Sequence, residues 1–400
     1  MTFTAKTALA DVCASVQYGY TASASENPCG PHFLRITDIV PDAIDWDSVP
    51  YCPINDKDKE RFSLAVGDIV VARTGATVGY AKLIREPVDA VFASYLVRFR
   101  VDERMAVPAY VGRLVESHVY KAFVKSRIGG AAQPNVSAPV LGSFTFSLPS
   151  AREQERIASI LSAYDDLIAN NRRRIKLLED AARLLYREWF VRLRFPSHEH
   201  AKIRDGIPEG WEKKTANDVM DVLSGGTPKT TNSAYWDGNI PFFTPKDSSE
   251  FAYVATTEKM LTEEGLRNCN SKLYPKDTVF ITARGTVGKI NLAQTAMAMN
   301  QSCYALAARP PINQFFLYFA LVNGVEQFRS RASGAVFDAI VCDTFKLIPF
   351  ILPEPRLIEM FTDFVTPMLR QVDILSIQIK RLQSARDLLL PKLMSGEIAV

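Results

Sequence analysis

Two short segments carry the residue types that read or grip a nucleic acid. In ARTGATVGYAK these are Arg73, Thr74 and Thr77 among glycines, and in ARGTVGK they are Arg284, Thr286 and Lys289. An arginine on such a tip can offer paired donors to guanine, hold a phosphate, or serve an internal pair, and the residue types leave all three open. Gln133 and Asn135 carry the donor and acceptor pairs that suit adenine, although the turn at Pro134 explains them as well. Thr227, Lys229 and Thr230 follow a double glycine and suit a polar loop facing DNA.

Catalytic chemistry has no comparable starting point. GATVGYAK and GGTPKT both fall short of the GxxxxGK[ST] phosphate loop, and Asn27-Pro28-Cys29-Gly30 breaks the NPPY/F signature of an amino-methyltransferase at its third position. His198 and His200 flank Glu199 without a third metal ligand, and His32 and His118 are isolated. The chain is therefore expected to be non-enzymatic, with no metal or cofactor of its own. Its 6 cysteines are scattered without a CxxC pair, which argues against a zinc ribbon or a disulfide framework. A net charge of +3 is small for a protein that alone neutralises roughly six to ten phosphates. The basic residues must be gathered on one face, or partners must supply much of the grip. The longest apolar run, Phe315 to Val322, is too short for a bilayer, and the expectation is a soluble cytoplasmic chain.

The elements that must position these residues recur in order. Asp68-Ile69-Val70-Val71 enters the first glycine-rich tip and Val78-Gly79-Tyr80-Ala81 leaves it, as two strands of a hairpin. Asp277 to Gly288 repeats it one residue shorter, with Arg284 set against Arg73 and Gly288 against Gly79. AVFASYLVRFRV pairs with AMAMNQSCYALAA, and AYVGRLVESHVYKAFVKS with FFLYFALVNGVEQFRS. The frame repeats while the polar loops change: PHFLRITDIV stands against PFFTPKDSS, and AAQPNV against AVFDAI.

Each copy is followed by a heptad seam. From Arg152 to Arg194, alternating steps of four and three meet Ile157, Leu161, Tyr164, Ile168, Asn171, Ile175, Leu178, Ala182, Leu185 and Trp189, between Pro149 and Pro196. At a constant offset of 204 the same steps meet Phe361, Val365, Met368, Val372, Leu375, Ile379, Leu382, Arg386, Leu389 and Leu393. An ungapped register over a whole helix marks a duplication, so the chain reads body, rod, body, rod. The second rod can bury its seam on the first only by running back antiparallel. Asn171 should then approach Leu375 or Ile379, either as a tolerated polar residue or as a device that fixes register. Arg172-Arg173-Arg174 lies off the seam, as a solvated or partner-binding face.

REQERIASIL, the two rods, GIPEGWE, GGTP with YWDGNIPFFTPKD, ARGTVG and MNQ together resemble the specificity subunit of a type I restriction-modification system, over essentially the whole chain. That resemblance implies an α+β fold: two α/β target recognition domains separated by two long antiparallel coiled-coil helices, with an internal pseudo-two-fold repeat. It sets the first recognition domain at 1–150, the central helix at 151–195, a linker and the second recognition domain at 196–353, and the C-terminal helix at 354–400. It also implies that each domain reads one half of a bipartite double-stranded DNA target, and that two modification (methyltransferase) subunits and the restriction (translocase/nuclease) subunits are partners. S-adenosylmethionine, ATP and Mg would be bound by those partners. The likeness places Lys246 and Asp247 towards DNA, with Arg35, Thr37 and Asp38 as the corresponding set; either aspartate could accept from cytosine or cap a helix. One departure stands out. The second copy reads RLIEMF where the first has REQERI, so the two docking surfaces need not be equal. The competing class is a coiled-coil protein-binding scaffold without DNA readout.

Overall fold

The computed structural model describes residues 6–128, 134–332 and 339–398. Its chain divides into two compact units, Met1–Ala169 with Leu382–Val400, and Asn170–Arg381.

The first unit contains β1 (Lys6–Ala8), β2 (Cys13–Tyr18), β3 (His32–Leu34), β4 (Asp68–Ala72), β5 (Ala81–Leu83), β6 (Ala90–Phe92), β7 (Leu96–Val101) and β8 (Thr145–Ser147). Its main sheet has the order β2-β7-β4-β5, antiparallel throughout, while β3 and β6 pair in parallel and β1 pairs antiparallel with β8. Alternation along a strand sends neighbouring side chains to opposite faces, and both faces of β4 are covered. Ile69 and Val71 join one core cluster with Phe99, Tyr110 and Leu161, whereas Val70 and Ala72 join another with Phe33, Val91 and Phe92. Asp68 at the start of β4 is buried but paired, accepting from Arg100 Nε and Nη2 at 2.7 Å each.

The second unit opens on a small antiparallel ribbon of β9 (Ile203–Arg204) and β10 (Ile207–Pro208). There follow β11 (Glu212–Thr215), β12 (Met220–Ser224), β13 (Trp236–Phe243), β14 (Tyr253–Val254) and β15 (Lys259–Leu261). The remaining strands are β16 (Val279–Thr282), β17 (Ile290–Ala293), β18 (Ala298–Met299), β19 (Cys303–Ala308) and β20 (Pro349–Leu352). The main sheet runs β12-β19-β16-β17-β14, β13 lies parallel to β18, and β11 pairs antiparallel with β20. Strand for strand this repeats the first unit: β12 stands for β2, β19 for β7, β16 for β4 and β17 for β5. The additions are the β9–β10 ribbon, β14 at the sheet edge and β15 against β13.

The heptad pattern becomes two long helices, Ala151–Tyr186 and Pro355–Ser395. Within the second unit, Asn171 Nδ2 donates to Gln378 Oε1 at 3.4 Å while the Tyr186 ring lies 5.7 Å from that of Phe361, so the helices run antiparallel. The partner of Asn171 is thus Gln378, between the two expected neighbours. Within the first unit Asp165 meets Arg386 at 2.7 Å, and Ile157 and Leu161 share a cluster with Leu393. Arg386, the one polar residue of the second seam, is there for that ion pair. The first helix does not stay α-helical to Arg194. It widens into a π-turn over Arg187–Val191, which turns the adjacent Trp189 and Phe190 both inward, and Leu193 follows with a φ of 57°. No helix among the described residues is long and apolar enough to cross a membrane.

Candidate nucleic-acid interface

Each hairpin tip is tied by its main chain to two further segments. In the first unit Gly79 N donates to Ala72 O at 2.8 Å, Arg73 N to Tyr95 O at 3.0 Å, and Val136 N to Arg73 O at 2.8 Å. In the second, Gly288 N donates to Thr282 O at 2.9 Å, Ala283 N to Ser302 O at 2.8 Å, and Ile340 N to Ala283 O at 3.0 Å. Ala283, not Arg284, therefore stands where Arg73 does, and Arg284 takes the place of Thr74. Gly75 and Gly285 both adopt a φ of 77°, a left-handed turn that glycine enters without a Cβ penalty, so the residue missing from the second loop lies after this point.

The first tip gathers side chains from three segments. Arg73 Nη2 donates to Asn135 Oδ1 at 3.0 Å, and its guanidinium carbon lies 4.8 Å from the centroid of the Tyr18 ring. Tyr18, at the end of β2, is 41% exposed, and its hydroxyl accepts from Ala138 N at 2.9 Å. Thr74 bridges Asn135 through the main chain, and Thr77 O accepts from Tyr80 N at 3.0 Å. Gln133 lies outside the described residues.

Arg35, Thr37 and Asp38 satisfy one another. Asp38 Oδ2 accepts from Arg35 N at 2.8 Å and from its Nε at 3.1 Å, while Oδ1 accepts from Arg35 Nη2 at 3.0 Å and Thr37 Oγ1 at 3.2 Å. The hydrogen bond to Asp38 raises the Arg35 pKa further. The second unit uses the same device. Asp247 Oδ2 accepts from Thr244 N at 2.8 Å and Thr244 Oγ1 at 2.6 Å, and its Oδ1 from Glu258 N at 2.6 Å. Both carboxylates are occupied in holding the loop that follows a parallel strand, which is the capping alternative.

Around the second tip an open groove of about 540 Å³ brings Lys246, Arg284 and Thr286 together with Lys259, Asn300 and Ser302. Beside it Thr227 Oγ1 donates to Gln301 Oε1 at 2.5 Å. The Lys229 carbonyl accepts from Trp236 Nε1 at 3.3 Å, and Lys259 Nζ lies 5.2 Å from the Trp236 centroid. Thr230 is exposed. Lys289, just before the returning strand β17, is exposed but is not part of the lining; its N–H donates to Thr282 Oγ1 at 2.9 Å. The sequence reading missed Tyr18, Lys259, Asn300 and Ser302. The only signal for any of them was MNQ, counted as a family feature and not as a polar cluster. Three cations, Lys246, Lys259 and Arg284, line the second groove against one carboxylate, Glu258, a balance that suits a polyanion. Among the described residues no group of three or more His, Cys, Asp or Glu side chains could hold a metal ion.

Known proteins are similar to this chain in sequence and fold. A specificity subunit of the type I restriction enzyme MjaIX from Methanocaldococcus jannaschii is 23% identical, covering 83% of this chain and 78% of that protein. The putative MjaX specificity subunit of the same organism is 24% identical over 98% of this chain and 93% of its own length. The crystal structure of the type I restriction-modification system S subunit from M. genitalium superposes with a TM-score of 0.60 at 14% identity, covering 98% of this chain and 96% of that one, and so shares the fold. The profile of the type I restriction modification DNA specificity domain matches residues 10–180 and again 208–379, once on each copy of the repeat. The chain belongs to that family.

Proposed function

We propose that this chain is the non-catalytic DNA sequence-specificity subunit of a type I restriction-modification complex. One observation carries the reading: the same strand order recurs in both units while the side chains on the matching tips differ. Two copies of one frame with different polar ends suit a device that reads two short signals. Each unit would take one half of a bipartite double-stranded target, and the long helices would set the distance between the halves. Modification would be carried out by two methyltransferase subunits, making the assembly an adenine-N6 DNA methyltransferase, and cleavage by ATP-dependent restriction subunits. S-adenosylmethionine, ATP and Mg would be held by those partners and none by this chain.

The helices support docking as well as pairing. In the first unit Ile160, Leu167 and Leu388 are 37%, 52% and 69% exposed, and in the second Leu177, Leu184, Phe364 and Ile374 are 63%, 47%, 55% and 54% exposed. Ile160 and Phe364 fall at the repeat offset, as do Leu184 and Leu388. Apolar residues left outside a paired seam at repeating positions suit a partner's helices.

Long-read sequencing of DNA methylated by the assembled complex tests the reading. Two specified half-sites at one spacing are expected, and removing whole heptads from both helices should change the spacing and neither half-site. Altered half-sites would reject the spacing role. A gel shift with random duplexes, alone and with the modification subunit, separates this reading from the protein-binding scaffold, which would shift nothing.

A further inference from the structure

The matching tips are held by the same main-chain bonds yet differ in what they can recognise. In the first unit the three converging places carry Tyr18, Arg73 and Asn135. In the second, Ser224 ends β12 as Tyr18 ends β2, Ala283 occupies the place of Arg73, and Ala339 precedes Ile340 as Asn135 precedes Val136. An aromatic, a guanidinium and an amide are thus replaced by a hydroxyl and two methyl groups.

Arg73 also lacks the carboxylate partner that many arginines of its unit have. Arg35, Arg85, Arg98, Arg100 and Arg113 each pair with a carboxylate, whereas no carboxylate among the described residues pairs with Arg73. Its positive charge is not neutralised, and its fork is aimed before any ligand arrives, by the Tyr18 ring 4.8 Å away and by Asn135 Oδ1 at 3.0 Å. Asn135 puts one lone pair of Oδ1 into that bond and keeps Nδ2 as a donor. Together the two side chains carry more donors than acceptors. In the major groove guanine alone shows two adjacent acceptors, N7 and O6, on one base; adenine sets a donor beside its N7. A phosphate needs no such aiming, while a bidentate base contact loses less rotamer freedom when the guanidinium is already fixed. At the second tip Lys246 and Arg284 are exposed on the groove, and neither donates a side-chain hydrogen bond among the described residues.

We infer that Arg73, positioned by Tyr18 and Asn135, reads a guanine in the half-site taken by the first unit, and that the second unit, with no counterpart among its described residues, uses Lys246 and Arg284 to grip phosphates. The inference rests on the specificity-subunit reading and divides the labour between its two tips.

The test uses the full chain assembled with its modification subunits, S-adenosylmethionine and a random-sequence duplex library, with methylated sites mapped by long-read sequencing across a salt series. In the wild-type complex one half-site should contain a specified G·C pair. Arg73→Gln should relax or change that one position, lower methylation of the original sites about 10- to 100-fold, and leave the other half-site and the spacing unchanged. Asn135→Ala should relax the same position more weakly. Arg73→Lys keeps the charge and the fold but not the fork, so it should also relax that position. Arg284→Ala should weaken binding at every site, with the salt slope shallower by about one. Uniform weakening by Arg73→Gln and Arg73→Lys with no base relaxed would make Arg73 a phosphate contact and overturn the inference. So would relaxation of an A·T pair, or an Arg284→Ala variant that relaxes a base. A wild-type complex that methylates no sequence would instead overturn the specificity-subunit reading, and this inference with it.

Discussion

The two units fasten themselves to the long helices with different balances of ionic and apolar contact. In the first, Asp165 accepts from Arg85 Nη1 and Arg386 Nη1 at 2.7 Å each and also contacts Arg113, while Glu116 accepts from Arg85 Nη2 at 3.1 Å and Leu83 N at 2.9 Å. The Arg113 side chain is only 5% exposed, and burial lowers its pKa to about 10. In the second unit Arg370 donates to Asp277 at 2.9 and 2.7 Å and Lys276 pairs with Asp373, but an aromatic cluster dominates: the fully buried Phe361 ring meets Phe190 at 5.3 Å, Phe319 at 5.6 Å and Tyr186 at 5.7 Å. An aromatic joint tolerates small shifts and is indifferent to salt. An ionic one is specific in geometry and fails badly when a single charge is lost.

The largest effect should come from the aromatic joint: Phe361→Ala is expected to destabilise the second unit by about 3–5 kcal/mol and leave the first unchanged. Urea melts can resolve the units, since Trp46 lies in the first and Trp189, Trp211 and Trp236 in the second. Equal loss in both units would erase the contrast. Asp165→Ala leaves the buried Arg113 with a weaker set of partners and should cost the first unit about 3 kcal/mol; a loss below about 1 kcal/mol would mean the ionic joint is ornamental.

Acidity should separate the joints in sign. For Glu116 burial pushes the carboxyl up, but Arg85, Arg113, Lys82 and the Leu83 N–H together hold it below the ordinary 4.5. Its contribution is therefore present above that value and lost as pH falls through the lowered one. For Glu179 burial raises the pKa, against the Ala252 N–H and Arg183, so its contribution is full below 4.5 and lost as pH rises through the raised value. Glu116→Gln should flatten the acid limb of the first unit, and Glu179→Gln should remove the second unit's loss of stability towards neutral pH. Parallel pH profiles would contradict the difference. The smallest effect is expected at the seam: Asn171→Leu should raise stability by about 1 kcal/mol or less, and an unchanged single spacing between half-sites would reject a register role for Asn171.

What the residues disclosed in advance followed from period. The seam repeats every heptad and its copy lies at a fixed offset, so both helices and the duplicated frame were legible. The end of the first helix was not, because the π-turn at Arg187–Val191 answers an aromatic cluster drawn from distant segments such as Phe316 and Phe361. The tips were half legible. Arg73 and Asn135 were named, but Tyr18 joins them only through pairing between β2 and β7, and the match of Arg284 to Arg73 slipped by one because main-chain bonds, not letters, set the register. Asp38 and Asp247 look alike as acceptors on paper. Only the folded loop shows both already engaged.

The bonds that hold the tips have a consequence for inheritance. Arg73 and Ala283 occupy one socket through N–H and C=O groups that every residue except proline provides. Nothing in that fastening asks which side chain is present. A single codon change can therefore replace the side chain at the tip while leaving its main-chain bonds in place. Each unit also closes its own sheets, so a change at one tip leaves the strand pairing of the other unit untouched.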